Sequence, residues 1–82
     1  EELDDIPEVF PATLRAQKVY KRIKKSGKNL PENTLNNIDF SQDIGKMLFD
    51  VCCLAEKQGV DSNLALREYT NKVIDAAKKD EL

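Results

Sequence analysis

Apolar residues recur at three- and four-residue steps in three separate stretches of the chain, a period that is typical of amphipathic helices. The first stretch lies between Pro11 and Gly27. Proline suits the first turn of a helix, and glycine suits the left-handed position that ends one. We therefore predict a helix of about 14 residues here. Its apolar positions are Ala12, Ala16, Val19 and Ile23, with Leu14 beside them.

The second stretch has the most continuous apolar stripe. Asp39 or Ser41 is predicted to cap the start of this helix, because their side chains can accept a hydrogen bond from the first turn. Gly59 is predicted to end it, just after Lys57 in the last turn. Its apolar positions are Phe40, Ile44, Met47, Leu48, Val51, Leu54 and Ala55.

The third stretch follows Asp61, which is its predicted cap. Its apolar face is predicted at Ala65, Leu66, Tyr69, Val73, Ala76 and Ala77, and is widened by Leu64 and Ile74. Three helices with short connections favour an all-α, antiparallel three-helix bundle. Residues 10–79 would form this helical domain, residues 1–9 an acidic linker or tail, and residues 80–82 a second tail. A chain of 82 residues forms one small domain at most. Since it begins at Glu1 without methionine, we expect it to be a piece of a longer protein.

Charge is distributed unevenly along the chain. Residues 15–28 contain seven Lys or Arg and no acid, whereas the remainder has six bases against fifteen acids. Two interpretations stay open, a solvated helix face and a surface that contacts phosphate. Nucleic-acid binding is a third, weaker hypothesis, because the cations surround the helix and Tyr20 is the only aromatic residue among them.

The two cysteines, Cys52 and Cys53, are adjacent, so they cannot pair with each other inside a helix. We interpret them as reduced thiols in a cytoplasmic protein. The chain has no histidine, which removes the usual zinc ligand set. No apolar run approaches the ~20 residues that a membrane-spanning helix needs, so a membrane partner is not expected.

Several short segments of the chain share their order and residue types with one known family. Residues 3–7 (Leu-Asp-Asp-Ile-Pro) and 10–19 (Phe-Pro-Ala-Thr-Leu-Arg-Ala-Gln-Lys-Val) are similar to the entry of a domain of the MazG family of all-α nucleotide pyrophosphohydrolases. Residues 44–49 (Ile-Gly-Lys-Met-Leu-Phe) resemble its Leu-Gly-Asp-Leu-Leu-Phe segment. Residues 59–61 (Gly-Val-Asp) and 65–67 (Ala-Leu-Arg) are similar to the later helix pair. The resemblance covers most of residues 3–73 except the connection at 28–39.

The resemblance implies hydrolysis of a nucleoside triphosphate to the monophosphate and pyrophosphate, with Mg²⁺ held by acids on two facing helices. The family carries a Glu-Glu-x-x-Glu cluster on one helix and a Glu-x-x-Asp pair on the next. The first of these helices is predicted to be shortened or missing here, because only residues 29–41 separate the matching segments. In the pair, Asp43 takes the place of the Glu, but Lys46 takes the place of the Asp.

The metal ligands that remain as candidates are Asp43 and Asp50, and the candidate phosphate-binding residues are Lys18, Lys21 and Lys72. Lys72 matches the lysine of the family's Asn-Arg-Lys-Phe run. Because an ammonium at Lys46 repels a divalent ion, we expect a degenerate domain that acts as a helical oligomerisation or regulatory module, as a homodimer.

The alternative is an active Mg²⁺-dependent pyrophosphohydrolase that takes ligands from a partner chain or flanking sequence. A nucleotide would then be its ligand.

Overall fold

A computed structural model of the chain describes Leu3, residues 6–31 and residues 43–79. Within these ranges the chain forms three α-helices and no strand: α1 (Ala12–Ser26), α2 (Ile44–Lys57) and α3 (Ser62–Lys79). The predicted all-α class is therefore confirmed. The chain divides into two compact units, Glu1–Pro31 with Asn63–Leu82, and Glu32–Ser62. We call them the α1–α3 unit and the α2 unit.

The boundaries of α1 follow from the two residues that flank it, as predicted. Pro11 precedes the helix with a φ of −52°, and Gly27 follows it in the left-handed conformation with a φ of 78°. The Gly27 N–H donates to the carbonyl oxygen of Lys24 at 3.2 Å, which satisfies one of the free carbonyls at the helix end. The helix buries four residues at steps of three and four: Ala12, Arg15, Val19 and Ile23.

In the α1–α3 unit, α1 packs against α3 around a small apolar core. The core residues are Leu3, Ile6, Val19, Ile23, Ile74 and Ala77, and Phe10, Leu30 and Val73 pack around them. Ile23 and Ala77 are fully enclosed. Thr70 is also buried and completes a face of α3 at steps of four and three, with Ile74 and Ala77.

This buried face of α3 differs from the predicted one. Tyr69, predicted on the apolar face, is 54% exposed, and Ala65 and Ala76 are exposed too. Ile74, predicted only to widen the face, is instead 6% exposed. The pattern missed Thr70, which is 4% exposed and takes a core position, because a search for apolar residues does not count threonine.

The segment before α1 also departs from the prediction. Residues 1–9 were expected to form a linker or tail, but Leu3 and Ile6 are buried in the core. Arg67 on α3 fixes this segment, since its guanidinium donates to the carbonyl oxygen of Glu8 and, at 3.1 Å, to that of Phe10. The tail interpretation is therefore wrong for these two side chains, because their apolar surface outweighs the acidic composition around them.

In the α2 unit, the helix begins with Asp43 in the cap position, where its side chain makes no capping hydrogen bond. The predicted caps Asp39 and Ser41 lie outside the described residues, as do Phe40 and most of the connection where the acidic helix was expected to be missing. Gly59 ends the helix as predicted, with a φ of 72°. The Val60 N–H closes this end by donating to the carbonyl oxygen of Ala55 at 2.9 Å.

Candidate functional site

The predicted metal ligands lie at the start and the middle of α2. Asp43 precedes the helix and is exposed, and Asp50 lies two turns further on. Lys46 lies between them in sequence, and its Nζ donates to Asp50 Oδ2 at 2.8 Å. The two side chains of this ion pair are 75% and 58% exposed. Asp50 is therefore paired with an ammonium group.

Asp43 and Asp50 do not by themselves form a magnesium site. Magnesium takes oxygen ligands in a nearly octahedral arrangement, and a protein often supplies one or two carboxylates while water and substrate phosphates supply the rest. Among the described residues, no group of three or more Asp, Glu, Cys or His side chains lies close enough to hold one ion. Asp50 is paired with the Lys46 ammonium in a solvated ion pair, so an ion at this carboxylate would have to displace Lys46.

The predicted phosphate-binding lysines are all exposed, and they do not converge. Lys18 and Lys21 line a shared surface depression of about 320 Å³ on α1, together with Arg22 and Lys25. Lys72 lies on α3 and does not line this depression. The Lys18 ammonium also lies 5.7 Å above the ring of Phe10, a cation–π contact that draws it toward the start of the helix. The structure therefore brings together Lys18 and Lys21 only.

The two cysteines are free thiols on the exposed surface of α2, as predicted. The Ser62 hydroxyl donates to Cys52 Sγ at 3.7 Å, so the first residue of α3 contacts the middle of α2 within the α2 unit.

The apolar side of α2 is the most unusual surface in the described part of the chain. None of the fourteen residues of α2 is buried. Five large apolar side chains on this helix are between 48% and 68% exposed: Ile44, Leu48, Phe49, Val51 and Leu54. Val60, just after the helix, is exposed as well. The sequence pattern predicted the stripe, but it could not tell whether the stripe faces this chain or another molecule.

We call this surface the α2 apolar face. Ile44, Leu48, Val51 and Leu54 follow one another at steps of four, three and three, so they form a continuous ridge. Phe49 lies beside that ridge. Large exposed apolar patches on small soluble domains mark interaction surfaces, because water contact with such patches is unfavourable.

Arg15 is a functional candidate that the sequence analysis did not single out. It is one of the seven cations of residues 15–28, yet it is only 4% exposed, and its Nε has no hydrogen-bond partner among the described residues. A signal was present in the spacing, because residue 15 lies three after Ala12 and four before Val19, on the buried stripe itself.

No protein-family model, curated protein or solved structure matches this chain. Of the helices in the described ranges, none combines the length and apolar character that crossing a membrane requires.

Proposed function

We propose that this chain is a divergent MazG-like domain that serves as a helical self-association module and has no pyrophosphohydrolase activity of its own. The observation that carries the proposal is the α2 apolar face, on a helix with no buried residue. The MazG resemblance remains part of the proposal. It rests on the sequence segments at 3–19, 44–49 and 59–67.

The occupant that we propose for the α2 apolar face is a second copy of the chain. Five half-exposed large side chains offer roughly 400–500 Å² of apolar surface, so two copies would bury about 800–1,000 Å². That area lies below the ~1,200 Å² at which standard specific interfaces begin, and it is typical of a weak, reversible dimer. A ridge of this spacing is self-complementary, because the same surface on two copies can pack about a twofold axis.

The small size of the chain supports this assignment. A domain of 82 residues buries a smaller fraction of its unfolded surface than a larger domain does, about 60–65%, and its described core comprises six buried apolar residues. Covering α2 would therefore add stability as well as affinity. The free cysteines Cys52 and Cys53 are consistent with a reducing, cytoplasmic compartment, which we include in the proposal.

The loss of catalysis is proposed on the basis of the Lys46–Asp50 pair. An ion pair at 2.8 Å holds the Asp50 carboxylate, and Lys46 places a positive charge where the resemblance implies a magnesium ligand. A divalent cation at this position would meet repulsion in place of coordination.

Sedimentation equilibrium over a range of concentrations tests the proposal. The wild-type chain should shift from monomer to dimer, and Leu48→Asp should raise the dimer dissociation constant at least about tenfold, since a carboxylate would be desolvated at the contact. Tyr20→Asp on α1 is the matched control, because Tyr20 and Leu48 are both 48% exposed. Circular dichroism checks that each variant keeps its helices.

A wild-type chain that stays monomeric, or an equal effect of Tyr20→Asp, would refute self-association through α2. The catalytic part is tested by incubating the chain with magnesium and a panel of nucleoside triphosphates, where we expect no pyrophosphate release. Release that disappears in Asp43→Ala would establish the active alternative instead.

A further inference from the structure

A cationic side chain is enclosed in the α1–α3 unit. Arg15 is 4% exposed, and its Nε, which carries a hydrogen-bond donor, has no acceptor among the described residues. Burying a donor of a charged group without a hydrogen-bond partner is costly, and native proteins almost always supply one.

Arg15, on α1, lines a cavity of about 370 Å³. The other walls of this cavity are the second half of α3 and the segment before α1. The other polar groups at its wall are Glu8, Asn71, Asp75 and Lys78, and Ile6 and Ile74 supply apolar wall. We call it the Arg15 cavity. Its size lies at the lower end of the range for small-molecule sites, so it admits a small ligand or a single group of a larger one.

The wall of the Arg15 cavity is held in place. Arg67 donates hydrogen bonds to the carbonyl oxygens of Glu8 and Phe10, which fixes the segment before α1 against α3. Ile6 and Ile74, on two sides of the cavity, are core residues. A preformed wall favours binding, because little conformational entropy is lost when a ligand enters.

We propose that the Arg15 cavity binds a small oxyanion, a carboxylate or a phosphate group, that pairs with the Arg15 guanidinium. The planar guanidinium presents donors in a fork that matches two oxygens of such a group. The Asn71 side-chain amide can add a further donor. This inference does not depend on self-association, since none of the cavity residues belongs to the α2 unit.

The acids at the wall restrict the charge of the ligand. Glu8 and Asp75 are both exposed at the cavity, and their two negative charges offset the positive charges of Arg15 and Lys78, so that the wall carries no net charge to neutralise a ligand with several negative charges. A group with a single charge, such as acetate or a phosphate monoanion, is therefore favoured over a triphosphate.

The direct test is a titration followed by NMR of the arginine side-chain Nε–Hε signals, with acetate, inorganic phosphate or inorganic triphosphate replacing chloride at constant ionic strength. The Arg15 signal should shift in a saturable way at millimolar acetate or phosphate, and triphosphate should bind more weakly than either. An Arg15 signal that ignores all three anions would overturn the proposal, because its acceptor would then belong to the chain itself. Tighter binding of triphosphate would overturn the charge argument.

Two isosteric substitutions on α3 provide a second test that leaves the buried Arg15 side chain in place. Asp75→Asn removes a negative charge from the cavity wall and should tighten acetate binding about two- to fivefold. Glu68→Gln removes the same charge from an exposed position of α3 that does not line the cavity, and should leave the affinity unchanged. Equal effects of the two variants would show that the anion responds to net charge alone, which contradicts a site at Arg15.

Arg15→Met tests the cation itself. If the variant folds, acetate and phosphate affinity should fall at least about tenfold, because a charge-assisted hydrogen bond is lost. Lys24→Met, which removes an exposed cation from the same helix, should keep the affinity. Loss of binding in Lys24→Met would locate the anion on the basic surface of α1 and refute the Arg15 cavity as its site.

Discussion

The ammonium of Lys46 lies 2.8 Å from the Asp50 carboxylate on the exposed side of α2. Asp43, Lys46 and Asp50 follow one another at steps of three and four, which places them on neighbouring turns of one helix face. With an acid at the middle position, this face would present three carboxylates in a row. With lysine there, the central charge is reversed, and the pair with Asp50 is neutral.

Replacing this lysine should create affinity for a divalent ion. In Lys46→Asp, the Mn²⁺ dissociation constant should fall about tenfold relative to wild type, because a repelling charge becomes an attracting one. Lys57→Asp makes the same change of charge in the last turn of α2 and serves as the control. Paramagnetic broadening of NMR signals from α2 measures the binding. Equal gains in both variants would show a nonspecific effect of net charge.

Gly45 and Gly59 should respond to alanine in opposite directions. Gly45 is helical, and a methyl group at its Cα would meet open space, so Gly45→Ala should stabilise the chain by about 0.5 kcal/mol. Gly59 has a φ of 72°, which strains a side chain, so Gly59→Ala should cost about 1 kcal/mol. Urea unfolding at one protein concentration measures both. Stabilisation by Gly59→Ala would contradict its role as the helix stop.

Among the helices, α1 was the most predictable and α3 the least. Pro11 and Gly27 fixed the ends of α1 because each acts through its own backbone constraint. The face of α3 was misplaced because Thr70 is buried on it, although threonine is not counted as an apolar residue. Burial of Arg15 was foreseeable from its spacing, though residue type argued for solvent.

The contact between α1 and α3 should supply much of the stability of the α1–α3 unit. Ile23 is fully buried at the centre of the core, so Ile23→Ala should cost about 2–4 kcal/mol. Leu14→Ala on the same helix should cost less than about 1 kcal/mol, since Leu14 is 39% exposed. Thermal and urea unfolding compare them. Similar losses from both variants would indicate that α1 does not pack through its Ile23 face.

At the scale of the whole molecule, the sequence predicted the apolar stripe of α2 but not that this stripe would be exposed. A stripe at helical spacing is the same whether it faces its own chain or a second copy. The candidate site on α2 could be predicted only in part. The sequence identified Asp43, Lys46 and Asp50, and the structure shows that Lys46 forms an ion pair with Asp50. The Arg15 cavity could not be predicted from the sequence. One of its walls is the segment before α1, and the sequence pattern had assigned that segment to a tail.

The measurement that addresses α2 most directly is an isotope-filtered NOE experiment on a mixture of ¹³C-labelled and unlabelled chains. Such a spectrum records only contacts between different copies. Self-association through the α2 apolar face predicts intermolecular contacts from the methyl groups of Ile44, Leu48, Val51 and Leu54. It predicts none from the buried methyl groups of Ile23 and Ile74. A dimer whose intermolecular contacts omit α2, or a spectrum with no such contacts at concentrations where the chain is folded, would contradict it.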